Sequence, residues 1–376
     1  MTRGTHWVVV VTVITVTIFF LGTARAHGPS DPPHQLYKMG DLKLESGQII
    51  NDFAISYVTH GTLNAKKSNA ILMVTALGGN HHRIDFLIGP GKALDPTKYF
   101  IVATDAIGNG LTTSPSNSAA QPRMAFPRFT VRDMVHSQHR LLTEHLGITH
   151  VVTVIGPSMG GMQALQWGAS QPGFTDSLVA LVPLGRTPAW STAMFEMARK
   201  LLMSDPAWNG GNYTATALPE RGMRLWANLL PGLFGRTPAL LKGQFPNNLD
   251  VLPWMKSLED SLWKRSDPND WIYQTWAIDD HNLGTTSGFN GDYYTALRAI
   301  KAKTLIMSGQ EDLLTPEEEA LEMVRYIPDA RHFFINPPAE LGHFAAAGGS
   351  APENEHLNAE IVRSLDIVTE RGRKLE

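Results

Sequence analysis

VVTVIGPSMGGMQALQW, Val151 to Trp167, passes from β-branched residues through one serine set among small residues into a segment of helical composition. Gly156-Pro157-Ser158-Met159-Gly160 fits G-x-S-x-G, a pattern that carries meaning only when a buried strand precedes it and a helix follows. Both conditions hold here. A turn that sharp lifts the Ser158 hydroxyl above the edge of a sheet, and Gly160 and Gly161 leave room for neighbouring backbone.

Outward from this stretch, apolar runs bounded by turn residues recur at 54–59, 70–75, 99–104, 178–182, 304–307 and 332–335. Several are continuous rather than alternating, as strands covered on both faces are. Helical patterns lie between them at 130–145, 160–171, 316–327 and 353–365. The alternation predicts an α/β fold with a mostly parallel central sheet flanked by helices. It stops between 185 and 302, a stretch that holds seven of the nine tryptophans and helical periodicity at 192–203. This is expected to be a helical insertion between late strands. Its aromatics either fill the insertion's own core or wall a pocket as a lid over the sheet's carboxyl edge.

The 376 residues carry a formal charge of −3 with no basic cluster, which argues against nucleic acid as a partner. The start of the chain has Arg3, an apolar run at 7–21 and Ala24-Arg25-Ala26, the pattern of an export signal cleaved near Ala26. The fifteen residues of that run fall short of the roughly 20 that span a bilayer. The expected organisation is therefore a signal peptide at 1–26, a core at 27–184, the insertion at 185–302 and the rest of the core at 303–376, exported and without stable membrane insertion. With no cysteine, thiolate nucleophiles, disulfides and Cys-bound metals are excluded. His81-His82 and Asp279-Asp280-His281 lack metal-ligand spacing, so no metal and no cofactor is expected, with the two histidines placed near a pocket mouth.

A serine hydroxyl needs a base, itself oriented by a carboxylate, and α/β-hydrolase folds supply them in the chain order Ser, Asp, His. After the strand at 304–307, SGQEDLLTP presents Glu311 and Asp312; after the strand at 332–335, LGHFAAAG presents His343. Asp329 and His332 precede or begin a strand, a poorer position. An oxyanion would be held by the backbone of Met159 and by the loop VTALGGN, where Leu77 is the expected second donor and Gly78 and Gly79 permit close approach of an acyl group.

These residues resemble the homoserine O-acetyltransferase family of the α/β-hydrolase superfamily, in stretches running from about Ala54 to His343: YVTHGTLNAKKSNAILMVTALGGN, IGPGKALDPTKYFIVATDAIGNGLTTSPS, FPRFTVRDMVHSQHRLLTEHLGI, GPSMGGMQALQW, RKLLMSDPAWNGGNY and SGQEDLLTP. The resemblance implies Ser158 as nucleophile with Asp312 and His343, oxyanion donors at Leu77 and Met159, an acyl-serine intermediate, and a lid that often pairs two copies into a dimer. It also implies that Arg199 reaches into the tunnel to bind a substrate carboxylate; the residue could equally be a surface arginine on an amphipathic helix. One feature departs from the family. Relatives that bind homoserine follow the catalytic histidine with an aspartate for the substrate ammonium, where this chain has Phe344. A buried ammonium without a carboxylate is costly, so a more apolar acceptor side is expected. The functional expectation is an exported hydrolase of a small-molecule carboxylic ester or thioester. An acyl-CoA-dependent O-acyltransferase and an inactive binding module are the alternatives.

Overall fold

The computed structural model describes residues 33–214, 216–335, 342–348 and 351–375. The expected signal peptide, 1–26, lies outside the described residues. Eight strands form one sheet in the order β1-β2-β4-β3-β5-β6-β7-β8: β1 (Gln35–Lys43), β2 (Ile49–His60), β3 (Ala70–Val74), β4 (Phe100–Thr104), β5 (Val151–Pro157), β6 (Thr175–Leu181), β7 (Lys303–Ser308) and β8 (Ala330–Phe334). The pairs β1–β2 and β2–β4 are antiparallel and all others parallel. Seven strands coincide with the apolar runs. The eighth, β1, was not anticipated: QLYKMGDLK alternates half-buried with exposed residues along a sheet edge, and its polar half hides the apolar one.

The central strands are buried on both faces, every residue of β3, β5 and β7 being covered. That coverage comes from helices: α1 (Val131–Arg140) and α2 (Met159–Ser170) before the long insertion, α9 (Glu317–Tyr326) and α10 (Ala351–Leu375) after it. Thr130 caps α1 reciprocally with Asp133, its side chain accepting the Asp133 N–H while the Asp133 carboxylate accepts the Thr130 N–H. Trp167 sits fully buried in α2 with its indole N–H donated to Gln138 of α1.

Between β6 and β7 the chain forms α3 (Ala189–Met203), α4 (Glu220–Ala227), α5 (Pro238–Gln244), α6 (Val251–Leu262), α7 (Pro268–Asp279) and α8 (Tyr293–Ala299). These do not make one uniform layer. Helices α3, α4, α6 and α7 present side chains to a cavity over the sheet's carboxyl edge, whereas α8 packs against α2 and α9 beside the sheet. No helix among the described residues is long and apolar enough to cross a membrane.

Candidate active site

Ser158 is the single residue between β5 and α2, at φ 57° and ψ −121°. Such a conformation costs a non-glycine residue on the order of 1–3 kcal/mol and persists only where the surroundings enforce it. They do so by close backbone approach. A Cβ on either Gly156 or Gly160 would sit 2.6 Å from the Val74 carbonyl oxygen, and one on Gly161 2.9 Å from that of Leu181. The Ser158 N–H donates to the same Leu181 carbonyl at 2.8 Å. The small residues around the serine are therefore what lets the elbow press against β3 and β6.

Asp312 lies buried in the loop after β7. Its Oδ1 accepts the N–H groups of Leu314 (2.8 Å) and Thr315 (3.0 Å); its Oδ2 accepts the Thr315 hydroxyl at 2.7 Å and faces His343 Nδ1 at 2.8 Å. Surrounded by donors, the carboxylate sets the imidazole tautomer: Nδ1 carries the proton towards Asp312, leaving Nε2 as an acceptor. His343 Nε2 stands 2.8 Å from Ser158 Oγ. The structure thus brings together Ser158, Asp312 and His343. The rivals stand outside this chain of contacts. His332 pairs through Nε2 with Ser308 Oγ at 2.7 Å, the Asp329 carbonyl accepts the Thr304 N–H at 2.8 Å, and Glu311 is exposed at φ 54°.

Leu77 and Gly78 line the same cavity as Ser158 and His343. Met159 opens α2, where its N–H has no acceptor within the helix and is free for an oxyanion. The Gly78 N–H is not: it donates to Gln274 Oε1 at 2.8 Å, and Gln274 Nε2 donates to the Ile107 carbonyl at 3.1 Å. Gln274, on α7, thereby pins the loop that carries Leu77. Nothing local in the sequence points to it, because its partner is 196 positions away.

The cavity holds about 680 Å³, within the range of small-molecule sites. Phe195, Trp226, Leu230, Leu262, Trp271 and Phe344 give it an apolar wall. Trp226 and Trp271, packed edge to face at 5.1 Å, line the cavity, whereas Trp208, Trp254, Trp263 and Trp276 pack against the hydrophobic core and Trp190 is half exposed. Phe344 is backed by the Arg236 guanidinium, 5.2 Å from its ring centroid. His82 reaches the cavity and binds Asp85 at 2.7 Å, but His81 is buried against Asp105 at 2.9 Å. Among the described residues no three His, Asp or Glu side chains could hold a metal ion.

The expectation for Arg199 is corrected. It is 2% exposed and does not line the cavity; its guanidinium binds Asp279 at 2.5 Å and Glu196 at 2.9 Å. Two carboxylates within the insertion hold it, one a turn earlier on α3 and one at the end of α7, so it is neither a tunnel ligand nor a surface arginine.

The family model described as "alpha/beta hydrolase fold" matches residues 69–347. The homoserine O-acetyltransferase of Methanosalsum zhilinae is 35% identical over 76% of this chain, which spans 63% of that relative's length. That of Moorella thermoacetica is 35% identical over 81% of this chain and 89% of its own. Among solved structures, an acetylester hydrolase from Corynebacterium glutamicum superposes with a TM-score of 0.83 at 29% identity, covering 89% of this chain and 96% of the other. A strained serine between strand and helix, a shared sequence over most of the chain and a shared fold agree: the chain belongs to the homoserine O-acetyltransferase family of α/β hydrolases.

Proposed function

We propose that this protein is a serine-dependent acyl-transfer enzyme that hydrolyses small carboxylic esters or thioesters outside the cytoplasm, after loss of residues 1–26. The observation that carries the reading is the unbroken chain from Asp312 through His343 to Ser158, with 2.8 Å at each link, opening into an apolar cavity. Ser158 Oγ attacks the ester carbonyl carbon as His343 Nε2 takes its proton, and Asp312 stabilises the imidazolium. The backbone N–H groups of Met159 and Leu77 hold the oxyanion. His343 returns the proton to the departing alcohol or thiol. Water then attacks the acyl-serine, giving up a proton to His343, and the acid leaves as Ser158 is reprotonated.

Water is favoured over homoserine by the residues beside the base. Phe344 occupies the position from which an ammonium would be held, and Asp85, the one carboxylate among the described residues lining the cavity, binds His82. Arg199, the residue that would hold homoserine's carboxylate, is bound to Asp279. The likeness to an acetylester hydrolase supports the same reading. Transfer to homoserine is the second reading, favoured by the 35% identity to enzymes of that name. Purified protein given p-nitrophenyl acetate should release acetate at a rate homoserine leaves unchanged. O-acetylhomoserine formed faster than acetate would establish the transferase instead.

A further inference from the structure

Arg83 follows directly on the oxyanion loop and lines the cavity. Its N–H closes a turn onto the Asn80 carbonyl at 2.9 Å, and its Cδ lies 3.5 Å from where a Cβ on Gly79 would stand. The side chain therefore runs along the loop that carries Leu77 and Gly78, partly buried and turned to the space in which a substrate would sit.

Among the described residues Arg83 has neither a carboxylate nor an aromatic ring opposite its guanidinium. Arg132, Arg140, Arg186, Arg199 and Arg224 each hold at least one carboxylate, and Arg128 and Arg236 lie over aromatic rings. Among the described residues no carboxylate lies within 4.0 Å of the Arg83 guanidinium. The nearest acids in sequence bind other groups: Asp85 holds His82 through Oδ2 with Oδ1 unpartnered, Asp95 accepts from Gly91 and Thr97, and Asp105 binds His81, Ser56 and Asn109. Burial pulls the guanidinium down to about 10 and no acid lifts it back, so it stays charged at neutral pH without a partner. The cavity's other arginine, Arg265, is tied by its Nε–H to the Ser261 carbonyl at 2.8 Å.

A charge withdrawn from water without an ion opposite is costly, and a carboxylate in the cavity would offset that cost with two parallel hydrogen bonds to the planar guanidinium. Arg265 and Asp85 are the other charged side chains among the described lining residues, with Asn80, Ser266 and Thr315 polar and most of the remaining wall apolar. We propose that Arg83 makes the cavity selective for esters bearing a carboxylate, which pairs with its guanidinium while the ester carbonyl lies at Ser158. The proposal rests on the acyl-transfer reading above and narrows its substrate class. The carboxylate can belong to the acyl half, as in a half-ester of a dicarboxylic acid, or to the alcohol half, as in an ester of a hydroxy acid.

Two matched pairs test it with the full chain: p-nitrophenyl acetate against mono-p-nitrophenyl succinate for the acyl half, and ethyl acetate against acetoxyacetate for the alcohol half. In one pair kcat/KM should favour the anionic ester by about tenfold or more, the scale of a charge-assisted hydrogen bond. Arg83→Gln should collapse that ratio, and Arg83→Lys should restore part of it. A ratio near one in both pairs, or a preference that Arg83→Gln leaves intact, overturns the proposal. Should Arg83→Gln fail to fold, inhibition of the unaltered protein decides: succinate should compete at least about tenfold better than succinamide, and equal inhibition overturns the proposal too. If neither neutral nor anionic ester is turned over, the acyl-transfer reading has failed rather than the charge preference.

Discussion

Two carboxylates, each facing a cationic or basic side chain, divide this molecule into a floor and a cover. Asp312, on the floor at the carboxyl edge of the sheet, spends both oxygens: two backbone N–H groups on one, a hydroxyl and an imidazole on the other. Asp279, in the cover, grips Arg199 with Oδ2 and leaves Oδ1 without a partner, as Arg199 leaves one Nη1. Burial pushes the Asp279 carboxyl up to about 6 despite the arginine beside it. The floor is held by backbone groups that arrive with the strands. The cover is held by side chains from different helices, and its polar groups are incompletely matched. The first arrangement preserves a geometry for chemistry; the second joins helices and leaves a cavity between them.

The largest expected effect tests the floor. Asp312→Asn keeps the shape of the loop but presents an amide to His343 Nδ1 and favours the wrong imidazole tautomer, so kcat for a neutral ester should fall on the order of 10⁴-fold with little change in Tm. A variant within tenfold of the unaltered protein would show that Asp312 orients nothing of consequence. The cover should answer in stability instead. Asp279→Ala leaves Arg199 buried with only the half-exposed Glu196, and removal of one partner of a buried pair costs about 3–5 kcal/mol, read as a lower Tm or urea midpoint. Replacing both residues, Arg199→Met with Asp279→Leu, should recover most of it. A large loss of kcat per folded molecule in that double variant would return Arg199 to the chemistry from which its position removes it.

The same division explains how far the sequence could be read. The floor was legible because its rules are local: β-branched runs end where turn residues begin, and Gly156, Gly160 and Gly161 mark the places where backbone touches backbone. Ser158, Asp312 and His343 each follow a strand, and chain order suggested their pairing. The cover offered only the periodicity of 192–203. Helices α4, α5 and α8 run only seven or eight residues, and the π-helical turn at Asn228–Phe234 contains Pro231. Gln274, Arg83 and the Arg199–Asp279 pair act through contacts no spacing announces. Arg199 was read through its resemblance, and a carboxylate 80 positions away decided where it points.

The smallest effect concerns the joint between the two regions, where His281 lies 3% exposed. Its Nε2–H donates to the Leu184 carbonyl at 3.0 Å and its backbone carbonyl accepts the Thr187 N–H at 2.9 Å, so one residue ties the end of α7 to the chain leaving β6. Nδ1 has no partner, and burial, helped by nearby Arg132, brings the imidazole down to about 3. In the unfolded chain the same group titrates near 6.5. Between those values the unfolded state binds the extra proton, so stability is complete above about pH 6.5 and falls as pH drops towards 3, by about 1.4 kcal/mol per pH unit from this group alone. Asp279 acts in the opposite sense, since its raised carboxyl takes a proton sooner folded than unfolded and gains stability as pH falls from about 6. The total slope therefore mixes both, and the difference between the unaltered protein and His281→Asn isolates the histidine. Urea unfolding at pH 7 and pH 5 should show the variant losing less stability than the unaltered protein, because asparagine has no proton to gain. Equal losses would place the acid sensitivity elsewhere and leave the joint no weaker in acid than the floor beneath it.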